Sequence, residues 1–269
     1  MSNAFFHKPQ EVFLDVVDAN DFIQLDRVST VYQSLKDSVR KPLKMILVYG
    51  RPGTGKSMML NKLAKDLSEK QKVIIYNTPI VDETEFLRSL ARDIYGIRTQ
   101  EPLNFTQFMA LAEAQESGSV PLVLLDEAQL YSPVHMEKIR LLSDTRKIKF
   151  VITLHKTEQE DIVAKEHFQT RIWESVELLN ATPAELKIYI QKKLMQSNCF
   201  DVANMFDEAN AKHIHYFTRG NYRDTNKLLF ALFNIYSWYE EHRPTKINYA
   251  SISKKIIEMA AIQTGLLHA

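Results

Sequence analysis

Two spacings of apolar residues divide the chain. Short apolar-rich runs, Met45-Ile46-Leu47-Val48-Tyr49, Lys72–Tyr76, Val120–Leu125, Ile148–Leu154 and the shorter Trp173–Leu178, read as strands, the first of them like a central strand of a parallel sheet. Between them, apolar residues recur at helical spacing: Met59/Leu60, Leu63 and Leu67; Leu87, Leu90, Ala91 and Ile94; Phe105, Phe108, Met109 and Ala112; Met136, Ile139 and Leu142. Strands alternating with helices predict a parallel sheet, with any ligand at the carboxyl ends of the strands. Beyond residue 180 the strand pattern stops. Thr182-Pro183-Ala184-Glu185 reads as a helix start, with a Thr cap, Pro at the first position and Glu at the third. Leu186, Ile190 and Leu194 continue its buried face, and Ala209–Phe217, Tyr222–Tyr239 and Ser251–Ala261 read as further helices. The expected layout is an α/β core over residues 1–179 and a small helical lid over 180–269.

Composition narrows this picture. The chain has 269 residues, enough to bury a core without staples. Its 34 basic and 33 acidic residues leave a net charge of +1, so a whole-chain basic footprint for nucleic acid is absent. A single cysteine, Cys199, rules out an internal disulfide and fits a reducing compartment, so a cytoplasmic location is expected. The apolar runs fall far short of the ~20 residues of a spanning helix, and the N-terminus carries no apolar secretion segment.

Three of the seven glycines fall within six residues, in Gly50-Arg51-Pro52-Gly53-Thr54-Gly55-Lys56-Ser57. This is the complete G-x-x-x-x-G-K-[ST] phosphate-binding loop, with the apolar strand before it and the helical pattern after it that the motif requires. Backbone N–H groups of residues 53–57 are expected to cradle phosphate oxygens at a helix N-terminus. Lys56 supplies charge to the β- and γ-phosphates, and Ser57 supplies a hydroxyl to Mg2+. Gly50, Pro52, Gly53, Thr54, Gly55, Lys56, Ser57 and Met58 are therefore the candidate nucleotide contacts. The Val120–Leu125 run ends in Asp126-Glu127. Paired carboxylates at the end of a buried strand are costly unless they serve a cation or a reaction. Asp126 is the candidate second residue for Mg2+, and Glu127 the candidate base that polarises the attacking water.

Further segments carry a family resemblance. Leu124-Leu125-Asp126-Glu127-Ala128-Gln129, Ile139-Arg140-Leu141-Leu142-Ser143, Gln169-Thr170-Arg171-Ile172 and Gly220-Asn221-Tyr222-Arg223 resemble motifs of AAA+ ATPases, as do the N-terminal aromatics Phe5, Phe6, Phe13 and Phe22. The chain most resembles the ExeA/GspA branch, ATPases of the general secretion pathway, and their TniB/TnsC-type transposition relatives. The resemblance spans nearly the whole chain, with Tyr222 standing where the lid motif G-x-P-R has proline. It implies an AAA+ P-loop fold with a helical lid, ATP and Mg2+ as ligands, ATP hydrolysis, and a ring or filament of identical subunits. Arg223 would be the sensor-2 arginine that reaches the γ-phosphate, and Arg171 an arginine finger donated to a neighbouring subunit. The polar sensor at the end of the fourth strand is Thr153 or His155; a histidine there would make turnover pH-sensitive. Asp26, Arg27 and Val28 are weak candidates for adenine contacts, within a stretch that reads more readily as an ordinary amphipathic lead-in helix.

Two tasks follow from the resemblance. The first is an assembly or secretion ATPase; ExeA-type chains continue into a membrane span and a peptidoglycan-binding domain and this sequence ends at Ala269 without them, so either it is a piece of a longer chain, or a partner brings it to the inner membrane, or this task is wrong. The alternative is a DNA-associated ATPase of the transposition-regulator or initiator type, for which Lys138, Arg140, Arg146, Lys147 and Lys149 form a basic stretch that could meet duplex DNA. A non-catalytic nucleotide switch is disfavoured by the presence of Glu127.

Overall fold

The five apolar runs pair as one parallel sheet in the computed structural model, which describes residues 5–114, 119–155 and 172–267. The strands are β1 (Met45–Gly50), β2 (Val73–Tyr76), β3 (Leu122–Leu125), β4 (Lys149–His155) and β5 (Ile172–Leu178). Their spatial order is β2-β3-β4-β1-β5, all neighbours parallel. Every residue of β3 is buried, and so is every residue of β1 except the half-buried Tyr49, as both-face coverage requires.

The described residues divide into two compact units, Val28–Leu178 and Met1–Arg27 together with Leu179–Ala269. In the first unit, α2 (Asp26–Arg40, which begins just before the division), α3 (Lys56–Leu67), α4 (Glu83–Tyr95), α5 (Phe105–Ala114) and α6 (Pro133–Asp144) accompany the sheet. Alternate strand residues Met45, Leu47, Val123, Leu125, Phe150 and Ile152 point to one face. There they form one core with Phe86, Leu90 and Ile94 of α4, Phe108 of α5, and Ile139 and Leu142 of α6. Local signals bound these helices. Asp82 caps α4 by accepting from Glu85 N, and Gly96, at φ 73°, ends it with its own N–H and that of Ile97 bonded back to Arg92 and Ala91. Ser132 caps α6 ahead of Pro133.

The second unit is helical: α1 (His7–Val12), α7 (Pro183–Gln196), α8 (Phe200–Asn204), α9 (Glu208–Thr218), α10 (Tyr222–His242) and α11 (Lys254–Thr264). Thr182 and Glu185 form the reciprocal capping box expected at the start of α7. The N-terminal aromatic segment, expected with the sheet half, groups instead with these helices. Phe6 is fully buried, its ring 4.5 Å from Tyr236 and 6.3 Å from Phe233, and Phe13 stacks on Phe233 at 5.8 Å. Stacked pairs of this kind add about 0.5–1.5 kcal/mol each beyond their area burial. The backbone N–H of Phe5 donates to Glu240 Oε1 at 3.1 Å, which ties the chain start to α10.

Candidate nucleotide-binding site

The phosphate loop is shaped by positions that admit no side chain. A Cβ on Gly50 would lie 2.4 Å from the Leu178 carbonyl oxygen and 2.9 Å from Thr54 Oγ1. Gly53 and Gly55 take φ values of 79° and 93°, the left-handed region that glycine enters without strain. Thr54 Oγ1 donates to the Arg51 carbonyl at 2.8 Å and closes the turn. Gly55 caps α3 without a side-chain hydrogen bond, so the positive end of the helix faces the loop. Lys56 is buried, and its Nζ donates to the carbonyls of Gly50 at 2.8 Å and Arg51 at 3.0 Å. Those two carbonyls compensate a charge that would be costly to bury alone.

The acidic strand end lies two strands away, across β4. The register sets Gly50 opposite His155 on β4 and Leu125 opposite Ile152, so β4 runs between the phosphate loop and Asp126-Glu127. Asp126 is buried. Thr153, fully buried on β4, donates through Oγ1 to Asp126 Oδ1 and accepts the Glu127 N–H at 2.9 Å. A hydroxyl can do both at once. Glu127 N–H also donates to Asp126 Oδ1 at 3.0 Å. Together these bonds hold Glu127 at φ 50°, ψ 44°, a conformation uncommon outside glycine. Its carboxylate, partly exposed, has Oε1 3.7 Å from His155 Nε2. His155 Nδ1 lies 3.3 Å from Gln129 Nε2.

The two residues weighed as sensor thus occupy different places. Thr153 is enclosed and orients the carboxylate pair, whereas His155 reaches the strand end beside Glu127. Sequence reasoning gave Gln129 no role of its own. Its spacing, two residues past Glu127, was a signal, but its partner lies on another strand.

The donor set fits a nucleotide and Mg2+. Both hydrogen bonds to the Asp126 carboxylate among the described residues fall on Oδ1, so Oδ2 is the oxygen that would face a Mg2+ ion or its water shell. No group of three or more His, Cys, Asp or Glu that could hold a metal occurs among the described residues. One carboxylate and one hydroxyl, Ser57, suit an ion that takes its remaining ligands from phosphate and water.

Arg223 lies in the first turn of α10 in the helical unit, with Nε 3.5 Å from Asp15 Oδ2 on an exposed surface. Gly220 before it, at φ 75°, packs so closely on Ala181 that a Cβ would meet the Ala181 carbonyl oxygen at 1.9 Å. Tyr222, in the place of the family's proline, lies 4.9 Å from the Tyr189 ring. Arg171 and the Gln169–Arg171 segment lie outside the described residues. Arg27, weighed for adenine, donates instead to the Asn180 carbonyl at 2.7 Å and Glu185 Oε2 at 2.9 Å. The basic stretch is largely committed within the chain. Lys138 pairs with Glu83 at 2.6 Å, and Arg140 pairs with Glu137 and with Asp144 at 2.7 Å. Lys149 Nζ donates to backbone carbonyls of Val39 and Lys41. Cys199 is buried, and burial raises its thiol pKa, as expected of an inert cysteine.

Residues 39–162 match the family model described as AAA domain. The fold is that of an AAA+ P-loop NTPase. Cdc6p from Pyrobaculum aerophilum is similar over 95% of this chain and 71% of its own, with a TM-score of 0.67 at 17% identity. Orc1 from Aeropyrum pernix, solved in complex with DNA, is similar over 94% of this chain and 69% of its own, with a TM-score of 0.61 at 16% identity. The RuvB Holliday junction branch migration motor from Thermotoga maritima is similar over 93% of this chain and 73% of its own, with a TM-score of 0.58 at 16% identity. No curated protein matches the chain in sequence. Among the described residues, no helix is long and apolar enough to cross a membrane.

Proposed function

We propose that this chain is a Mg2+-dependent ATPase that works as an oligomer. The observation that carries the reading is the meeting of the phosphate loop, Asp126-Glu127 and Thr153/His155 at the ends of three adjacent strands. The N–H groups of residues 53–57 and the Lys56 ammonium bind the β- and γ-phosphates, with Lys56 exchanging its two loop carbonyls for phosphate oxygens. Ser57 and Asp126 hold Mg2+, which when bound neutralises charge on the transferring phosphoryl group. Glu127 accepts the proton of the water that attacks the γ-phosphorus as the bond to the ADP oxygen breaks. Arg223, in the sensor-2 role, and Arg171 of a neighbouring subunit would offset charge on the same group. Glu127→Gln should retain Mg·ATP and stop turnover, whereas Lys56→Ala should lose nucleotide affinity itself. Normal turnover in Glu127→Gln would refute the assignment.

For the biological task, the DNA-associated reading gains from the fold likeness, since one similar structure is Orc1 in complex with DNA and another a Holliday junction branch migration motor. Of the 138–149 stretch, Lys138, Arg140 and Lys149 are engaged within the chain. The secretion or assembly reading, with a membrane-associated partner, rests on the sequence resemblance to the ExeA branch. Glu127→Gln saturated with Mg·ATP and titrated with duplex DNA across a salt series separates the two. ATP-dependent binding that falls steeply with salt supports the DNA reading; its absence at low salt refutes that reading in favour of secretion or assembly.

A further inference from the structure

We propose that Gln129 is a positioning residue for hydrolysis: it fixes the tautomer and ring orientation of His155, so that His155 presents its Nε2–H to the Glu127 carboxylate. The inference rests on the ATPase reading above. Gln129 sits in the turn that follows Glu127, where Leu130 N–H bonds to the Glu127 carbonyl at 3.0 Å and Tyr131 N–H to the Ala128 carbonyl at 3.2 Å. Ala128 is buried, so the backbone that carries Gln129 is anchored. The amide nitrogen lies 3.3 Å from His155 Nδ1. An amide nitrogen donates and does not accept, so Nδ1 is the acceptor and the proton of the neutral ring is on Nε2. Nε2 lies 3.7 Å from Glu127 Oε1, so its N–H faces the carboxylate from just beyond hydrogen-bond length. The opposite tautomer would require a reversed amide and would turn an Nε2 lone pair toward a carboxylate.

A second observation separates this role from simple packing. Gln129 Oε1 is buried without a hydrogen-bond partner among the described residues. An orphaned buried acceptor opposes folding. Stability alone would favour an apolar side chain of the same length, so what the amide contributes is the donor on its other end.

The variant Gln129→Met keeps the length and packing and removes the amide. The expected result is a kcat about tenfold lower, the worth of one hydrogen bond to this constellation, with Mg·ATP affinity unchanged. Because Gln129 acts through His155, adding Gln129→Met to His155→Ala should cost nothing further. Nitrogen-15 NMR of the imidazoles in nucleotide-free protein should find His155 in the Nε2–H form, and a mixture of tautomers in Gln129→Met. Full activity of Gln129→Met, an equal loss in the His155→Ala background, or an Nδ1–H ring in the wild type would each overturn the proposal. A wild type that fails to hydrolyse Mg·ATP would sink the ATPase reading instead, and the NMR result would still decide the Gln129–His155 arrangement.

Discussion

Thr153→Val tests whether the left-handed backbone at Glu127 is held from outside. Valine matches threonine in shape but cannot bond Asp126 or Glu127. Two hydrogen bonds disappear from a fully buried position. The one to the carboxylate is worth about 1.5–3 kcal/mol and the one from the Glu127 N–H about 1 kcal/mol. Glu127 N–H keeps Asp126 Oδ1 at 3.0 Å, so no donor is orphaned and the total falls near 3 kcal/mol. A non-glycine residue in the left-handed region costs about 1–3 kcal/mol, the same order, so losing Thr153 is enough to let Glu127 relax. Its carboxylate would then leave the strand end, and turnover should fall by about two orders of magnitude. Thr153→Ser keeps the hydroxyl and loses one buried methyl, about 1 kcal/mol of stability, with turnover near wild type. The assay is paired: urea unfolding for stability, and steady-state Mg·ATP turnover beside nucleotide affinity. Affinity should hold in both variants, because the phosphate loop hangs on β1. Equal turnover in the valine and serine variants would show that Thr153 does not position Glu127.

Two further outcomes follow from packing. Gly220→Ala places a methyl 1.9 Å from the Ala181 carbonyl oxygen at φ 75°, so close approach and backbone strain combine to cost at least about 3 kcal/mol; a melting temperature equal to wild type would contradict that contact. His135 is wedged edge-on between Phe86 and Tyr131, both rings 4.8 Å away, and burial holds its pKa below the ordinary value although Glu83 and Asp82 pull it back. Its depressed native pKa means the unfolded chain takes up the proton first, so this contribution to stability is full above about pH 6.5 and is lost as pH falls below it. His135→Phe should therefore lose less stability than wild type between pH 7.5 and 5, and parallel losses in urea midpoint would exclude His135 as a source.

Features written into contiguous residues were legible. The glycines at 50, 53 and 55 announced the phosphate loop because its backbone excludes other residues, and the Thr182–Glu185 capping box formed as its spacing required. What escaped detection depends on partners remote in the chain. Phe6 finds Phe233 and Tyr236 more than 220 positions away, so an N-terminal segment that precedes the sheet in sequence belongs to the helical unit in space. The charge stretch is legible only in part for the same reason. Lys138 is basic in the sequence, but Glu83 on α4 neutralises it, and Lys149 points its ammonium at backbone carbonyls that no composition count records. The paired carboxylates follow this logic as well. Asp126 and Glu127 are adjacent and could be paired by reading, but their conformation is set by Thr153, and the Glu127 side chain is approached by His155, both from β4. The chemical groups of this site were therefore readable from motifs, while their poise is a property of the strand order that places β4 between the other two.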